Sequence, residues 1–143
     1  MFNAEELGHD SCFTKLSDAL LISKKYLYNL PCIKIISLAL EDAYKDIFIE
    51  DATPKWNISL LKEQKTDGDF IGYDILGWDT GGFHSYLCNG LNKDIESKYS
   101  LEINDLGLIQ NQYSQVKEFA EYIEGQGEPV IWLPFAVYEH SLK

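Results

Sequence analysis

Hydrophobic residues recur at helical spacing through the first third of the chain. The pattern predicts an amphipathic helix that ends around Asn29, with Pro31 in the first turn of a second helix. The apolar positions of the first helix are Phe13, Leu16, Leu20, Leu27 and Leu30. Apolar residues then continue at three- and four-residue steps from residue 33 to residue 47. The β-branched pair Ile35-Ile36 leaves a strand open for residues 33–38, but the longer period favours a helix.

A β-hairpin is predicted in the middle of the chain. The two expected strands, residues 57–65 and 69–78, flank Asp67-Gly68, a dipeptide that favours tight hairpin turns. A third helix is expected to follow, capped by Asp79 or Thr80. Its apolar residues recur at four-residue steps on one face: Phe83, Leu87, Leu91 and Ile95.

The last third of the chain predicts a fourth helix and a final strand. Residues 106–109 indicate a short buried strand or a loop. The apolar period from Tyr113 to Ile123 predicts the helix, and Gly125 and the glycine two residues later end it. Residues 130–138 are rich in aromatic and β-branched residues and predict a strand. Pro134 inside it implies an edge position or a bulge, because proline cannot donate to a β-ladder.

These elements predict a single α+β domain over residues 1–143. N-terminal helices, a β-hairpin, two further helices and a C-terminal strand would surround a small antiparallel sheet. A hydrophobic content of 45% is ordinary for a globular domain of this length. Three scattered cysteines, a polar N-terminus and the lack of a long apolar run favour a cytoplasmic protein that does not enter membranes.

The surplus negative charge lies entirely after residue 40. Residues 1–40 hold four acidic residues and four lysines, whereas residues 41–143 hold nineteen and eight, which accounts for the net charge of −11. The acids concentrate on the predicted second helix, around the predicted hairpin and over residues 102–128. Such a field repels nucleic acid and anionic lipid and attracts basic proteins. Simple solubility is the alternative explanation.

Motifs that suggest catalysis or metal binding are incomplete. Asp79-Thr80-Gly81 copies the aspartic-protease signature, but a helical pattern follows it where that all-β fold would continue. His84 and Cys88 stand four residues apart without a third group to orient them. His9, Cys12 and Cys32 lack the fourth ligand that structural zinc requires. We therefore predict no enzyme activity, no metal and no cofactor.

Acidic residues interleaved with aromatic ones predict a protein-binding surface instead, with charge at its rim and apolar anchors at its centre. Trp78 is the aromatic residue expected to be exposed, because it lies at a strand end between glycines. The candidate partner-binding residues are Glu41, Asp42, Asp46, Glu50, Asp51, Asp67, Asp69, Asp74, Trp78 and Asp79.

Part of the chain, from Phe70 to Tyr138, resembles bacterial immunity proteins of contact-dependent growth inhibition and other polymorphic toxin systems. The likeness rests on five segments, whose motifs are loose and mostly apolar. They are Phe70-Ile-Gly-Tyr-Asp-Ile-Leu-Gly-Trp-Asp79, Phe83-His-Ser-Tyr-Leu-Cys-Asn-Gly90, Asn104-Asp-Leu-Gly-Leu108, Ala120-Glu-Tyr-Ile123 and Val130-Ile-Trp-Leu-Pro134. The resemblance implies a non-enzymatic cytoplasmic protein that binds the C-terminal domain of its toxin, often a nuclease with a basic cleft.

The leading hypothesis is therefore an immunity protein that neutralises a basic toxin domain by electrostatically steered binding. One alternative is an acidic DNA mimic that inhibits a nucleic-acid-binding protein. A second is a small hydrolase that uses Asp79 or the His84/Cys88 pair. The oligomeric state stays open.

Overall fold

The computed structural model describes residues 16–56, 68–79, 82–89 and 93–142. Within them the chain forms four α-helices, two 3₁₀ turns and one four-stranded antiparallel sheet, an α+β fold as predicted. The elements in chain order are α1 (Leu16–Tyr26), β1 (Ile35–Leu40), a 3₁₀ turn (Asp42–Tyr44), α2 (Lys45–Trp56), β2 (Asp69–Asp79), β3 (Gly82–Ser85), a second 3₁₀ turn (Tyr86–Asn89), α3 (Lys93–Tyr99), α4 (Tyr113–Glu124) and β4 (Trp132–His140).

The sheet has the strand order β1-β4-β2-β3, and each of its faces carries an apolar cluster. Ile75 and Leu76, adjacent on β2, project to opposite faces. On the Ile75 face, α4 packs with the loop before it; the buried residues there are Ile75, Leu101, Ile109, Val116, Phe119, Ala120, Ile123 and Trp132. On the Leu76 face, α2 packs through Phe48; the buried residues there are Phe48, Leu76, Trp78, Leu133 and Phe135.

The helix predicted over residues 33–47 is wrong in its first half. Residues 35–40 form β1, which pairs in full with β4, from Ile35 opposite His140 to Leu40 opposite Phe135. Glu41 is extended (φ −60°, ψ 139°) and separates the strand from the helical residues after it. The apolar residues keep their three- and four-residue spacing from β1 into α2, so the pattern alone does not reveal where the strand ends and the helix begins. The β-branched pair at residues 35–36 was the correct signal.

The third helix predicted from the Phe83 pattern is also wrong. Residues 82–85 form β3, which pairs with the end of β2 so that Asp79 lies opposite Gly82 and Trp78 opposite Phe83. A 3₁₀ turn follows, and the helical residues of this region are α3 alone. Residues 69–78 are a strand as predicted, whereas the expected partner strand 57–65 and Asp67 lie outside the described residues.

The predictions for α4 and the final strand are confirmed, but Pro134 is not on an edge strand. β4 lies between β1 and β2. Its pairing with β1 stops at Phe135, so residues 132–134 have β2 on one side only. The Trp132 N–H points to the open side, where it donates to the Glu124 carboxylate at 2.8 Å. Since backbone groups alternate along a strand, Pro134 faces the same open side, and its missing N–H breaks no ladder bond.

A bulge in β2 connects the sheet to the loop that precedes α4. The register with β4 shifts between Phe70 and Gly72. Gly72 has a φ of 139°, a backbone angle that residues with a side chain rarely adopt. Beyond the bulge, Tyr73 and Ile109 exchange backbone hydrogen bonds of 2.9 and 2.8 Å. Residues 106–109 are therefore a loop with one buried bridge to the sheet, one of the two predicted options.

Candidate protein-binding surface

Trp78, one of the candidate residues, belongs to the core, and the half-buried Asp51, another candidate, binds its indole. The Trp78 side chain is 1% exposed and packs edge-on against Phe48, with ring centroids 5.1 Å apart. Its indole N–H donates to the Asp51 carboxylate at 2.5 Å, which joins β2 to α2. The expectation of an exposed Trp78 is wrong, because β3 and α2 cover the strand end. This pair stabilises the fold and leaves Trp78 without a surface to offer a partner.

Asp74 is likewise an internal hydrogen-bond acceptor. One of its carboxylate oxygens accepts from the Ile75 N–H at 2.8 Å and from the Ser85 hydroxyl at 2.6 Å. The Ser85 oxygen in turn accepts from the Leu87 N–H at 3.2 Å and so orders the 3₁₀ turn after β3. Burial raises the pKa of Asp74, although the Ser85 and Ile75 hydrogen bonds oppose that effect. Asp74 therefore contributes little to an external field.

Two further candidates make contacts at the surface. Glu41 accepts from the Tyr113 hydroxyl at 2.5 Å and lies 3.4 Å from the Lys117 ammonium, which links the end of β1 to α4. The Tyr113 hydrogen bond lowers the pKa of Glu41 despite some desolvation. Asp79 lies 3.1 Å from His84 Nε2, an exposed contact between β2 and β3. The Glu41 charge is therefore partly balanced by Lys117, and the Asp79 carboxylate is within hydrogen-bond distance of an imidazole.

The exposed acids of α2 and the turn before it form one row. Asp42, Asp46 and Glu50 follow at four-residue steps, a spacing that places helical residues on one side. In the part of the chain that the structure describes, these carboxylates have no hydrogen-bond or ion-pair partner. Asp69 is exposed too, but it starts β2 opposite Glu139. The candidate acids thus divide into a row on α2 and dispersed residues along β2.

An apolar groove lies between α2 and α4, beside the open side of β4. Its volume is about 210 Å³. We call it the α2–α4 groove; it is lined by Tyr44, Ile47, Ala120, Glu121, Glu124, Ile131, Trp132, Leu133 and Pro134. Pockets that enclose a small-molecule ligand usually measure about 300–1,000 Å³, so this groove suits one inserted side chain better than a cofactor.

Two carboxylates of α4 stand on the wall of this groove. Glu124 is held in place because one of its oxygens accepts from the Trp132 N–H. The Glu121 carboxylate is exposed and has no hydrogen-bond or ion-pair partner among the described residues. On the opposite wall, Glu50 follows the groove residue Ile47 by one helical turn. The lining therefore holds two carboxylates of α4, and Glu50 of α2 stands one helical turn beyond it.

Of the three acid-rich stretches in the sequence, the one on α4 contributes Glu121 and Glu124 to the groove lining, and the one on α2 lies on the adjoining helix. These two helices are neighbours because the 3₁₀ turn before α2 packs on α4: the Lys117 ammonium lies 5.3 Å from the centroid of the Tyr44 ring. Asp69 and Asp79 stand at opposite ends of an 11-residue strand, roughly 33 Å apart for an extended chain. The β2 acids therefore do not form one surface.

Sequence reasoning missed the residues that build this groove. The acid-rich stretch 102–128 was visible, but nothing in it singled out Glu121 and Glu124. Their spacing to the buried Ala120 and Ile123 is the one signal that a sequence offers, since it places them beside the core stripe of α4. The other wall could not be found, because a helix was expected where β1 and its turn lie.

The described residues hold no cluster of three or more histidine, cysteine, aspartate or glutamate side chains placed to bind a metal ion. The geometric premise of the His84/Cys88 pair fails, because His84 is in β3 and Cys88 is in the following 3₁₀ turn and exposed. Cys88 therefore lies at the surface and not in the core. The Asp79–His84 contact alone can orient an imidazole, but general-base catalysis also needs a positioned nucleophile.

No protein-family model matches the chain, and neither a curated protein nor a solved structure matches it. Among the helices that the structure describes, none has the length and apolar character to cross a membrane.

Proposed function

We propose that the protein is a cytoplasmic, non-enzymatic immunity protein that binds and neutralises a basic toxin domain through the α2–α4 groove. The observation that carries the proposal is the position of two α4 carboxylates, Glu121 and Glu124, in the lining of an apolar depression, with the exposed acids of α2 on the adjoining helix. Charged groups around an apolar centre are the usual arrangement of a specific protein interface. The resemblance of residues 70–138 to immunity proteins supports the same function.

In this mechanism the acidic rim and the apolar centre act at different stages. The carboxylates Asp46, Glu50 and Glu121 would accelerate encounter with a positively charged toxin surface, by about 10-fold or more at low salt. Apolar contacts to Ile47 and its neighbours would then slow dissociation. A nuclease toxin would be inactivated where this acidic surface covers or adjoins its phosphate-binding cleft.

Binding to the C-terminal domain of the protein encoded immediately upstream tests the proposal. We expect a complex with nanomolar affinity whose association rate falls as salt rises. Asp46→Asn with Glu121→Gln should slow association, whereas Ile47→Ala should mainly speed dissociation. Asp69→Asn is the matched control, because Asp69 lies opposite Glu139, roughly 17 Å along β4 from Pro134.

Three results would contradict the proposal in distinguishable ways. The absence of a complex would refute the immunity function. A complex that still neutralises the toxin, but whose formation is insensitive to salt and to the groove variants, would refute the α2–α4 groove as the binding surface. Displacement of DNA from many unrelated basic proteins would favour the DNA-mimic alternative, and turnover that Asp79→Asn or His84→Ala abolishes would favour a hydrolase.

A further inference from the structure

β1 is an outer strand with an unusual amino-acid composition for this acidic chain. In the part of the chain that the structure describes, it pairs with β4 on one side only. Its six residues, Ile-Ile-Ser-Leu-Ala-Leu, contain no charge, no proline and no bulge. Ile36 is 50% exposed and Leu38 is 37% exposed. An edge with these properties is a template for pairing with another strand, because proteins ordinarily protect such edges with charge or proline.

The hydrogen bonds of the sheet show which backbone groups of β1 face outward. Tyr73 directs its N–H and C=O to Ile109, away from β4. Its neighbour on β4, Ala136, therefore directs its own groups to the other side, toward Ala39 of β1. Because the direction alternates along a strand, Ala39 bonds inward, whereas Ile36 and Leu38 present their N–H and C=O groups to the open edge.

These outward groups permit few ways for two copies of β1 to pair antiparallel. Outward residues must face outward residues, which excludes the register that would place Ile35 opposite Leu40 of a second copy. The register with Leu38 opposite Leu38 satisfies the rule and sets Ile36 against Leu40. Just beyond the paired strands, it sets Lys34, which contacts Glu139 of its own chain at 2.9 Å, toward the turn residue Asp42 of the second copy, and does so twice by symmetry. This register therefore places no like charges directly opposite each other.

The distribution of charge also favours a second copy of the protein as the partner of the β1 edge. The described residues 16–40 hold three lysines and one aspartate, whereas the chain as a whole carries −11. Two copies therefore repel each other over most of their surface but not here. We propose that two copies associate through antiparallel β1 strands about a two-fold axis at Leu38, which joins two four-stranded sheets into one. This dimer is independent of the toxin-binding proposal, because it uses the strand and not the groove.

Charge substitution at the two-fold axis tests the dimer. Sedimentation equilibrium over a wide range of concentration should show a reversible dimer for the unmodified protein. Leu38→Lys places two like charges opposite each other and should raise the dissociation constant by roughly 10-fold or more. An equimolar mixture of Leu38→Lys and Leu38→Glu should dimerise again. Leu106→Lys is the matched control, because Leu106 is 53% exposed and lies in the loop before α4.

Amide hydrogen exchange provides a second, residue-specific measurement. The amides of Ile36 and Leu38 should exchange more slowly as protein concentration rises, whereas the inward amides of Ser37 and Ala39 should be protected at every concentration. Three outcomes would overturn the proposal: a monomer at all concentrations, a dimer unaffected by Leu38→Lys, or outward amides that are already protected in the monomer. The last would mean that another part of the chain covers the edge.

Discussion

Asp74 gives the most direct test of the division between structural and surface acids. Its carboxylate, on β2, accepts hydrogen bonds from the Ile75 N–H on the same strand and from the Ser85 hydroxyl on β3. Asp74→Ala removes the one oxygen that accepts both hydrogen bonds and leaves the N–H of the fully buried Ile75 without this acceptor. Asp74→Asn keeps an acceptor oxygen and removes only the charge. The two substitutions therefore separate hydrogen bonding from ionisation.

The expected magnitudes follow from these contacts. An orphaned buried donor costs about 1–3 kcal/mol, and the Ser85 hydroxyl can rotate toward another acceptor, so Asp74→Ala should lower the free energy of unfolding by about 2–3 kcal/mol. The free energy of unfolding of Asp74→Asn should stay within about 1 kcal/mol of the unmodified protein at neutral pH. The hydrogen bonds become weaker without the charge, but a neutral amide also avoids the cost of burying a charged carboxylate.

The pH dependence has a definite sign. Burial raises the pKa of Asp74 above its ordinary value of 3.8, so the folded state holds the proton more tightly than the unfolded state. From pH 3.8 up to the raised pKa, this group lowers the free energy of unfolding as pH rises, and above that range the penalty is fully present. Asn has no such penalty. The stability of Asp74→Asn relative to the unmodified protein should therefore improve across this range.

Urea denaturation followed by tryptophan fluorescence can measure these differences, since Trp78 and Trp132 are buried. The unmodified protein and both variants should be compared from below pH 3.8 to neutrality. The reasoning is refuted if Asp74→Asn is as damaging as Asp74→Ala, or if its relative stability falls as pH rises. Either result would mean that the ionised carboxylate itself stabilises the fold.

Two further substitutions test the framework around the groove and the sheet. Glu124→Ala should lower the free energy of unfolding, measured by urea denaturation, by about 1–3 kcal/mol, because the Trp132 N–H loses its acceptor. The control Glu118→Ala, at an exposed position on α4, should change it by less than about 0.5 kcal/mol, and equal effects of the two substitutions would contradict this role of Glu124. Gly72→Ala should lower the melting temperature by several degrees, since its methyl would lie 2.8 Å from Leu108 Cβ at a φ of 139°; an unchanged temperature in calorimetry would refute the packing argument.

The net charge of this chain does not translate directly into a binding field. Asp51, Asp74 and Glu124 accept hydrogen bonds from buried or partly buried donors, so their carboxylates stabilise particular strand and helix contacts. The row on α2 and Glu121 have no such role. A binding experiment that neutralises acids without regard to this difference would measure loss of folding together with loss of charge.

Local sequence alone determined α1, α4, β2 and β4 in type and approximate position. These elements have strong signals: an apolar stripe of period 3.6 from Tyr113 to Ile123, and runs of aromatic and β-branched residues at 69–78 and 130–138. The α+β class followed from them. The excess of acids after residue 40 was equally plain, because composition does not depend on folding.

Tertiary structure alone decided β1, β3 and the role of each acid. A strand is stabilised by partners far away in sequence, so Ile35–Leu40 became a strand only because β4 lies beside it, some hundred residues later in the chain. The same contacts buried Trp78 and gave Asp51 and Asp74 their donors. They also brought α2 and α4 to one groove and left the outer edge of β1 open. Whether a carboxylate faces solvent or a buried N–H depends on which elements meet, and local sequence does not contain that information.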